Sequence, residues 1–366
     1  MELNLYVFDS SITPLGIIGA TGLTWEEKFA DAGSFELWCP LNSQNVELLQ
    51  EDNLLWIGGE SAGVVEFKEL TSDEEGTETI HIQGRLAESY LDYRTIYPTV
   101  SMTGKISAIL RKHVERNLIN PTDMARKIPN IELASDQVPY GDSVSYQKTG
   151  DTVLLETSKL CEANALGFRL QFFPQLSKFV FRVYQGTDRT LDQSAVNPVL
   201  FSSDLDDILE SSYSHNKSEL RNFAYVAGED SGTARKVQAV GSATGISRRE
   251  LFVDARDLQS ENEDGTAIPE VEYNAMLVER GKTSLEDYKD IESFSATLRT
   301  FGVTGYVYGV DFFLGDKVTV YDSRLKIRTN AVVTAVLQTY DEEGERMDIT
   351  FGYEQPTIAN KLKRRM

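Results

Sequence analysis

Hydrophobic and polar residues alternate with a period of two near both ends of the chain, and the two alternating stretches match. Residues 64–84 and 332–352 align without a gap, and each contains an acidic turn with a glycine, at 73–76 and 341–344. Similar runs precede them, at 52–57 and 315–320. Alternation around a glycine turn predicts a β-hairpin, and its recurrence predicts two copies of one β-module. Two related modules per subunit would let a threefold ring or tube imitate sixfold symmetry.

The rest of each module is predicted from shorter alternating runs separated by Gly, Asp and Ser. At the N-terminus these runs lie at 3–8, 16–18, 23–29 and 33–40. With the first hairpin they predict a small antiparallel β-barrel over 1–96. Further runs, at 222–228 and 234–241 and again from residue 294, lead into the second hairpin. They predict a second barrel made of 199–255 and 293–355.

Helical periodicity replaces alternation after residue 98. Residues 103–116 place five side chains on one helical face: Ile106, Ile109, Leu110, His113 and Val114. A second helix is predicted over 151–164 with Asp151 as N-cap, followed by a hairpin of 167–172 and 178–184. These elements predict an α+β domain over 97–198, inserted between the barrels.

A smaller helical insertion is predicted over 256–292. Its first helix, 269–280, is expected to stop at Gly281, and 283–286 has capping-box spacing for the next helix. The last residues, 356–366, are read as a basic tail. The predicted fold class is therefore a β-rich α+β multidomain protein, with two related barrels, an inserted α+β domain and a small helical insertion.

The composition is that of a folded protein with an acidic surface. The chain has 366 residues, 41% of them hydrophobic, and a net charge of −21. This charge repels polyphosphate, so sequence-specific nucleic-acid binding is excluded as a prediction. An acidic wall would still suit a conduit, because a conduit must not hold the DNA that slides through it. The charge is equally well explained by solvated turns.

Targeting signals and reactive cysteine patterns are not apparent in the sequence. The N-terminus has no basic n-region, and no run of 18 apolar residues occurs, so neither a signal peptide nor a membrane span is predicted. Cys39 and Cys161 are far apart and lack CxxC spacing. We expect buried thiols in a protein assembled in a reducing cytoplasm, although the sequence alone leaves a disulfide open.

Several motifs resemble a known family. They are Leu23–Pro40, which includes Ala32-Gly33-Ser34-Phe35-Glu36; 206–210 with 222–229; 245–256, which reads Gly-Ile-Ser-Arg-Arg-Glu-Leu-Phe-Val-Asp-Ala-Arg; and 311–320. Together they are similar to the siphophage tail-tip or baseplate-hub family, which forms the N-terminal part of tail-associated lysins. Its fold is similar to that of the trimeric central hub of contractile-phage baseplates.

The resemblance implies a four-domain subunit whose two barrels form a pseudo-hexameric ring in a homotrimer. Such a ring would cap the tail tube, adapt its sixfold symmetry to a threefold tip, and form part of the DNA exit channel of the virion. The implied partners are the distal tail protein ring, the tape-measure protein, and distal tip, fibre or receptor-binding proteins. Family members often carry lytic or receptor-binding extensions. Because the sequence ends at Met366, soon after the second barrel, we expect this chain to lack one.

Catalytic or metal chemistry is not predicted. His81, His113 and His215 are distant from one another in sequence, and no HExxH, GxSxG or Walker motif occurs. The acidic group at 204–207 lacks the glycine and distal glutamate of an EF-hand loop and is better explained as a helix cap. Glu250 and Asp254 are the carboxylate pair most worth examining, but their run alternates in charge like an edge strand. No cofactor is expected.

Candidate functional residues are therefore sought at assembly surfaces. The three tryptophans, Trp25, Trp38 and Trp56, lie in the first predicted barrel and are expected mainly in its core, with at least one on a face that meets a neighbour. The charged run near residue 250 is expected to form intersubunit ion pairs. The candidate assembly residues are Trp25, Phe35, Trp38, Arg248, Arg249, Glu250, Asp254 and Arg256.

Two other functions compete with this structural one. A tail-associated peptidoglycan hydrolase is suggested only by the lysins to which related hubs are fused. A host-glycan-binding module, based on residues 97–198 or a barrel, lacks the clustered aromatics that sugar binding usually requires. The structural interpretation is favoured, and we expect no enzymatic activity.

Overall fold

A computed structural model describes residues 3–72, 78–135, 138–205, 208–261, 265–298 and 305–352. The first predicted acidic turn, the carboxylates at 206 and 207, and the predicted basic tail lie outside these residues. The described chain is mostly β, with several antiparallel sheets, as the predicted fold class requires.

The N-terminal quarter of the chain forms a β-module. Its strands are β1 (Leu3–Phe8), β2 (Pro14–Ala20), β3 (Gly22–Lys28), β4 (Ser34–Pro40), β5 (Leu54–Trp56), β6 (Gly63–Ser72) and β7 (Glu78–Leu86). The short helix α1 (Ser43–Leu48) follows β4, and Asn42 caps it through a hydrogen bond from the Asn45 amide.

The next segment carries the first two long helices. Its elements are β8 (Thr95–Lys105), α2 (Ile106–Val114), β9 (Ile131–Leu133), β10 (Ser143–Thr152), α3 (Val153–Ala163), β11 (Gly167–Phe173) and β12 (Lys178–Tyr184). All five side chains predicted on one face of α2 are buried. The predicted cap of α3 is wrong by one residue. Thr152 accepts the Leu155 amide at 3.2 Å, and Asp151 pairs with Lys148 instead.

The remainder returns to strands, with one long helix. Its elements are β13 (Asp188–Arg189), β14 (Leu200–Ser202), β15 (Ile208–Asn216), β16 (Phe223–Ala227), β17 (Val237–Val240), β18 (Glu250–Asp254), α4 (Glu270–Glu286), β19 (Ile291–Leu298), β20 (Lys317–Asp322), β21 (Ile327–Asp341) and β22 (Gly344–Gly352).

The predicted helix pair after residue 269 is wrong, because α4 is continuous through Gly281. A Cβ at this position would lie 2.7 Å from the Cγ2 atoms of both Val226 and Val240. The glycine therefore lets the helix approach the sheet of β16–β18 closely and does not end the helix.

A 14-stranded sheet contains most strands of both modules. Its order is β15-β19-β22-β21-β3-β4-β7-β6-β5-β1-β2, with β20, β13 and β14 attached beside β21. The modules meet where residues 335–340 of β21 pair antiparallel with residues 23–28 of β3. Among the described residues no closed barrel is found, so the prediction of two barrels is not confirmed. Among the described strands, the C-terminal part of β6 pairs only with β7, and β15 pairs only with β19.

The predicted repeat is present as two hairpins of equivalent construction. The β6–β7 hairpin has a bulge between Val65 and Phe67, and the β21–β22 hairpin has one between Val333 and Ala335. The strand orders also correspond, because β3-β4-β7-β6-β5 has the same sequence of neighbours as β15-β19-β22-β21-β20.

The loops that enter the two hairpins have the same hydrogen bonds. The Asp52 amide donates to the Val65 carbonyl at 2.9 Å, and the Gly315 amide donates to the Val333 carbonyl at 2.8 Å. Both donors have positive φ, 66° and 88°. Val65 and Val333 donate back to the next residues along, Asn53 and Asp316, at 2.9 Å each. The recurrence is therefore one of backbone geometry as well as of sequence.

The strands predicted over 222–256 for the second barrel form a sheet of their own. Its order is β17-β16-β18, and α4 packs on one face through Tyr273, Met276 and Leu277. Since Asn216 pairs with Ile291, this whole unit is inserted into the connection between β15 and β19. The domain boundaries given from the sequence stay predictions.

Candidate assembly and channel surface

The two faces of the large sheet differ in polarity. On β3, Leu23 and Trp25 are buried in the core, whereas Thr24 and Glu26 lie on the opposite face with partial exposure. Strand pairing extends this second face through both modules. Its hydroxyl-bearing residues are Thr24, Ser34, Thr71, Thr79, Ser212, Ser214, Ser293, Ser295, Thr297 and Thr339. We call this surface the polar face.

Carboxylates outnumber basic side chains on the polar face. The acidic residues are Glu26, Glu36, Glu69, Glu210, Asp341 and Asp348, and the basic ones are Lys28, Arg85 and Arg346. Several are paired: Lys28 lies 3.1 Å from Glu26, and Arg85 lies 2.7 Å from Glu66 at the bulge beside this face. A surface of hydroxyls and partly paired carboxylates offers a polyanion few attractive contacts.

Trp38 lies on the polar face and not in the core. Its ring stacks on that of His81, with centroids 5.1 Å apart and planes 5° apart. His81 Nε2 lies 2.6 Å from a Glu36 carboxylate oxygen, and Phe67 contacts the His81 ring edge-on. This cluster is the one aromatic group among the candidate residues that is open to a neighbour, and its assembly role stays a prediction.

Trp25 and Phe35 are core residues. They are 1% and 3% exposed, and their rings stack at 5.6 Å. Trp25 lies on β3 opposite Gln338 of β21, at the joint between the modules. Both side chains pack within one protomer, and an assembly role for them stays a prediction.

The charged candidate residues lie on or beside β18, which is an edge strand of the small sheet. Their ion pairs are intrachain: Arg248 contacts Glu250 at 2.7 Å, Asp254 pairs with both Arg235 and Arg256, and Arg249 donates to the Lys217 carbonyl. The side chains of Arg235 and Arg256 hold the pKa of Asp254 below its ordinary value. An intersubunit role for this strand stays a prediction.

The outer side of the small sheet combines exposed aromatic rings with guanidinium groups. Arg248 lies over the Phe223 ring, 3.4 Å from its centroid, and donates to the Tyr225 hydroxyl at 2.7 Å. Phe252 is 64% exposed and lies beside Arg235. Stacking of this kind orders the arginines on the surface.

A cleft of about 700 Å³ lies where the two modules and the inserted α+β segment meet. Its wall includes Glu27 of β3, which accepts hydrogen bonds from Arg169 at 2.9 Å, from Tyr308 at 2.6 Å and from Ser61. Burial alone would raise the pKa of Glu27, but the charge and hydrogen bond of Arg169, with the hydroxyl donors, hold it below the ordinary value. This group of four residues, the junction cluster, joins distant segments of the chain.

A second buried carboxylate lies near the same arginine. Glu88 accepts the Leu170 amide at 3.1 Å, and burial raises its pKa despite the charge of Arg169. The Glu27 carboxylate is engaged by Ser61, Tyr308 and Arg169 together, and the Glu88 carboxylate is engaged by a backbone amide. The donors and acceptors of the junction cluster satisfy one another, which suits a structural tie better than acid–base chemistry.

Asp316 forms a third internal tie. It is 2% exposed and accepts the amides of Thr187 and Phe313 and the Nε–H of Arg189, at 2.7, 3.1 and 2.7 Å. It joins the connection after β12 to the loop that enters the second hairpin. The sequence analysis missed Asp316, Glu27 and Arg169. Only the repeat at 315–320 marks Asp316 in the sequence, and no local pattern marks the other two.

The histidines and cysteines show no catalytic arrangement in the described part of the chain. His113 is fully buried against the Tyr146 ring, and burial lowers its pKa to about 4. His215 lies on β15. Cys39 and Cys161 are buried free thiols, and burial raises the pKa of Cys39 to about 11, so the thiolate needed for reactivity is scarce. Among the described residues no cluster suits a metal ion.

Helices of the described residues are too short or too polar to cross a lipid bilayer.

Comparison with known proteins identifies the family of the chain. Residues 4–353 match the siphovirus ReqiPepy6 Gp37-like protein family. The chain belongs to this family. The resemblance to siphophage tail proteins is thereby confirmed.

Solved structures of similar fold are also tail proteins. The 43 kDa tail protein of prophage MuSo2 from Shewanella oneidensis is 14% identical, with a TM-score of 0.57 over 95% of this chain and 98% of that one. A tail protein from Neisseria meningitidis MC58 is 13% identical, with a TM-score of 0.55 over 96% of each chain. Prophage tail protein gp18 from Listeria monocytogenes EGD-e is 12% identical, with a TM-score of 0.52 over 99% and 98%. No curated protein matches the chain.

Proposed function

We propose that three copies of this protein form the hub of a siphophage tail tip, where they adapt a sixfold tail tube to a threefold tip. The observation that carries the proposal is the joint between β21 and β3, where two modules of equivalent strand order already meet edge to edge within one chain. Three chains would supply six such modules. The role is structural, and we assign it no catalytic step.

The polar face is the surface best suited to line the DNA exit channel of such a ring. Its hydroxyls and its excess of carboxylates over basic residues give a wall that repels phosphate and offers it few cationic binding groups. The opposite face of the sheet is committed to the core. The proposed neighbours are the distal tail protein ring, the tape-measure protein, and distal tip or fibre proteins.

Light scattering on the purified protein and cryo-EM of virions test this proposal. We expect the mass of a trimer in solution and threefold density at the tail tip. A chain that is strictly monomeric and absent from the tip would overturn the hub role. A channel wall that is neutral or basic in the assembled ring would overturn the conduit role alone.

Zymography on bacterial cell walls and glycan-array binding of the whole chain separate the alternatives. A lysis band that depends on this chain would favour a hydrolase, and specific glycan binding would favour a host-recognition module. We expect neither result, because the Glu27 carboxylate in the cleft is already engaged by Arg169, Ser61 and Tyr308.

A further inference from the structure

The internal joint between the modules predicts how one copy of the chain meets the next. In each module the N-terminal part of one hairpin strand is covered by a preceding strand: β5 covers residues 63–64 of β6, and β20 covers residues 327–332 of β21. The C-terminal part of β21 is then covered by β3. The C-terminal part of β6, from Glu66 to Ser72, pairs on one side with β7, and no described strand covers its other side.

The complementary edge is β15. By strand order β15 in the second module corresponds to β3 in the first, and its described pairing is with β19 alone. Within one chain β21 pairs with β3. The equivalent strands, β6 in place of β21 and β15 in place of β3, have no such partner among the described strands. We infer that β6 of one copy pairs antiparallel with β15 of the next copy. This inference rests on the proposed ring and gives its interface.

The register of this joint follows from equivalent positions in the two modules. The shared bulge aligns Leu70 of β6 with Gln338 of β21. In the second module Tyr213 of β15 pairs with Phe294, which pairs with Phe351. In the first module Trp25 of β3 pairs with Phe35, which pairs with Gly84. Tyr213 is therefore equivalent to Trp25. Because Gln338 faces Trp25, Leu70 of one copy would face Tyr213 of the next.

The exposed side chains support this register. Leu70 is 49% exposed and Tyr213 is 37% exposed in the single chain, although both lie on the side of the sheet that faces the core. Pairing would cover both and place an aromatic ring against an aliphatic side chain, as cross-strand neighbours in stable sheets do. It would also satisfy two open edges that otherwise favour uncontrolled association.

The same relation repeated between every pair of modules closes a ring. The internal joint relates the second module to the first, and the external joint would relate the first module of one copy to the second module of the next. A heterologous contact of this kind gives a closed ring when the rotation closes. Each copy needs only two edges to take part.

Disulfide trapping tests the pairing on the full chain. Leu70→Cys combined with Tyr213→Cys should yield oligomers linked between chains under mild oxidation, because facing residues of paired strands lie within disulfide distance. Leu70→Cys combined with Ser214→Cys is the matched control. A shift of one residue sends the second side chain to the other face, so we expect at least about tenfold less cross-linked product.

An association measurement gives a second readout. Leu70→Lys should weaken self-association, because a lysine on an edge strand opposes strand addition. We expect a fall of about two- to fivefold in the association constant per interface, the range for cross-strand pairs. Leu15→Lys is the matched control: Leu15 is 44% exposed on β2, at the edge outside the proposed joint, and this variant should associate normally.

The outcomes separate this inference from the proposed function. An oligomer that cross-links through 70 and 213 supports both. An oligomer that does not cross-link there, or that Leu70→Lys leaves unchanged, overturns the strand pairing and leaves the hub role standing. A chain that is monomeric at every concentration and absent from tail tips overturns both.

Discussion

The two β-modules have equivalent strand orders, but the registers of their hairpins differ. The second strand of each hairpin, β7 or β22, is displaced by one residue relative to its equivalent in the other module. Val65 faces Gly84 in the first module, whereas Val333 faces Phe351 in the second. Five residues separate Ser72 from its partner Glu78, whereas four separate the equivalent Tyr340 from its partner Glu345. The ungapped sequence alignment, which matches Gly84 with Gly352, therefore slips beyond the turn.

The displacement places an additional aromatic ring in the core of the second module, because Phe351 lies at the position of Gly84 while Phe294 lies at the position of Phe35. In the first module Phe35 of β4 occupies the space over Gly84, beside Trp25. In the second module the return strand supplies Phe351 itself, 6.1 Å from Phe294 of β19. The two modules thus share their strand order, and they differ in whether the return strand brings a glycine or a phenylalanine to this position.

The largest effect is expected from breaking the tie between the modules and the inserted segment. Arg169→Met should lower the free energy of unfolding by about 3 to 5 kcal/mol, because it leaves the buried Glu27 carboxylate without its cation. Chemical denaturation followed by circular dichroism measures this change.

Arg346→Met is the matched control for this substitution. Arg346 is half exposed and pairs with Asp341 at 2.8 Å on the surface, so its removal should change stability by less than about 1 kcal/mol. Equal effects of the two substitutions would show that the junction cluster does not hold the segments together.

A slightly smaller effect is expected from filling the space over Gly84. A Cβ there would overlap the Val64 carbonyl oxygen and lie 2.7 Å from Phe35 Cε1. Gly84→Ala should therefore cost about 3 kcal/mol, toward the upper end for overpacking. Gly104→Ala, also in a strand, meets only the terminal carbon of Met102 at 3.2 Å and should be nearly neutral. A neutral Gly84→Ala in thermal unfolding would contradict the comparison of the two cores.

The strands and the repeat could be predicted from the sequence because they depend on local alternation and turn residues. The β6–β7 and β21–β22 hairpins and the buried face of α2 are examples. The joining of the two modules into one sheet could not be predicted, since it depends on β21 pairing with β3, which lies some 300 residues earlier in the chain. The predicted helix end at Gly281 was wrong for a related reason. A glycine that ends a helix and a glycine that permits close packing look the same in the local sequence.

The candidate site was predictable only in part. Trp25 and Phe35 were chosen for their size, but size favours the core as much as an interface. The charged run near residue 250 is predicted to form intersubunit ion pairs, whereas Arg248 and Glu250 pair within the single chain. The ties through Glu27 and Asp316 join segments distant in sequence, so no local pattern could reveal them.

An intermediate effect is expected at the equivalent positions Asn53 and Asp316. Asp316→Ala removes three hydrogen bonds to a carboxylate and leaves Arg189 unpaired, so we expect a loss of about 2 to 3 kcal/mol. Asn53→Ala removes one amide hydrogen bond, to the Leu48 carbonyl at 2.8 Å, and should cost about 1 kcal/mol. Urea denaturation of both variants measures the difference. Equal losses would mean that the second module does not depend on its extra tie.

The smallest effect is expected in the pH dependence of stability, where Glu27 and Glu88 should act in opposite directions. The folded-state pKa of Glu27 is lowered, so its contribution is present above its unfolded-state pKa and is lost as pH falls through the folded-state value. The pKa of Glu88 is raised, so its contribution is present below its unfolded-state pKa and is lost as pH rises through the folded-state value.

Glu27→Gln should therefore flatten the loss of stability on acidification below about pH 4.5, near the ordinary glutamate pKa. Glu88→Gln should remove the contribution of Glu88, which opposes that of Glu27. The stability of this variant should therefore fall more steeply on acidification than that of the wild type. Thermal unfolding in matched buffers from neutral to acidic pH measures both slopes. If both variants changed the slope in the same direction, Arg169 would not stabilise the Glu27 carboxylate more than the Glu88 carboxylate. Glu27 would then not be the centre of the junction cluster.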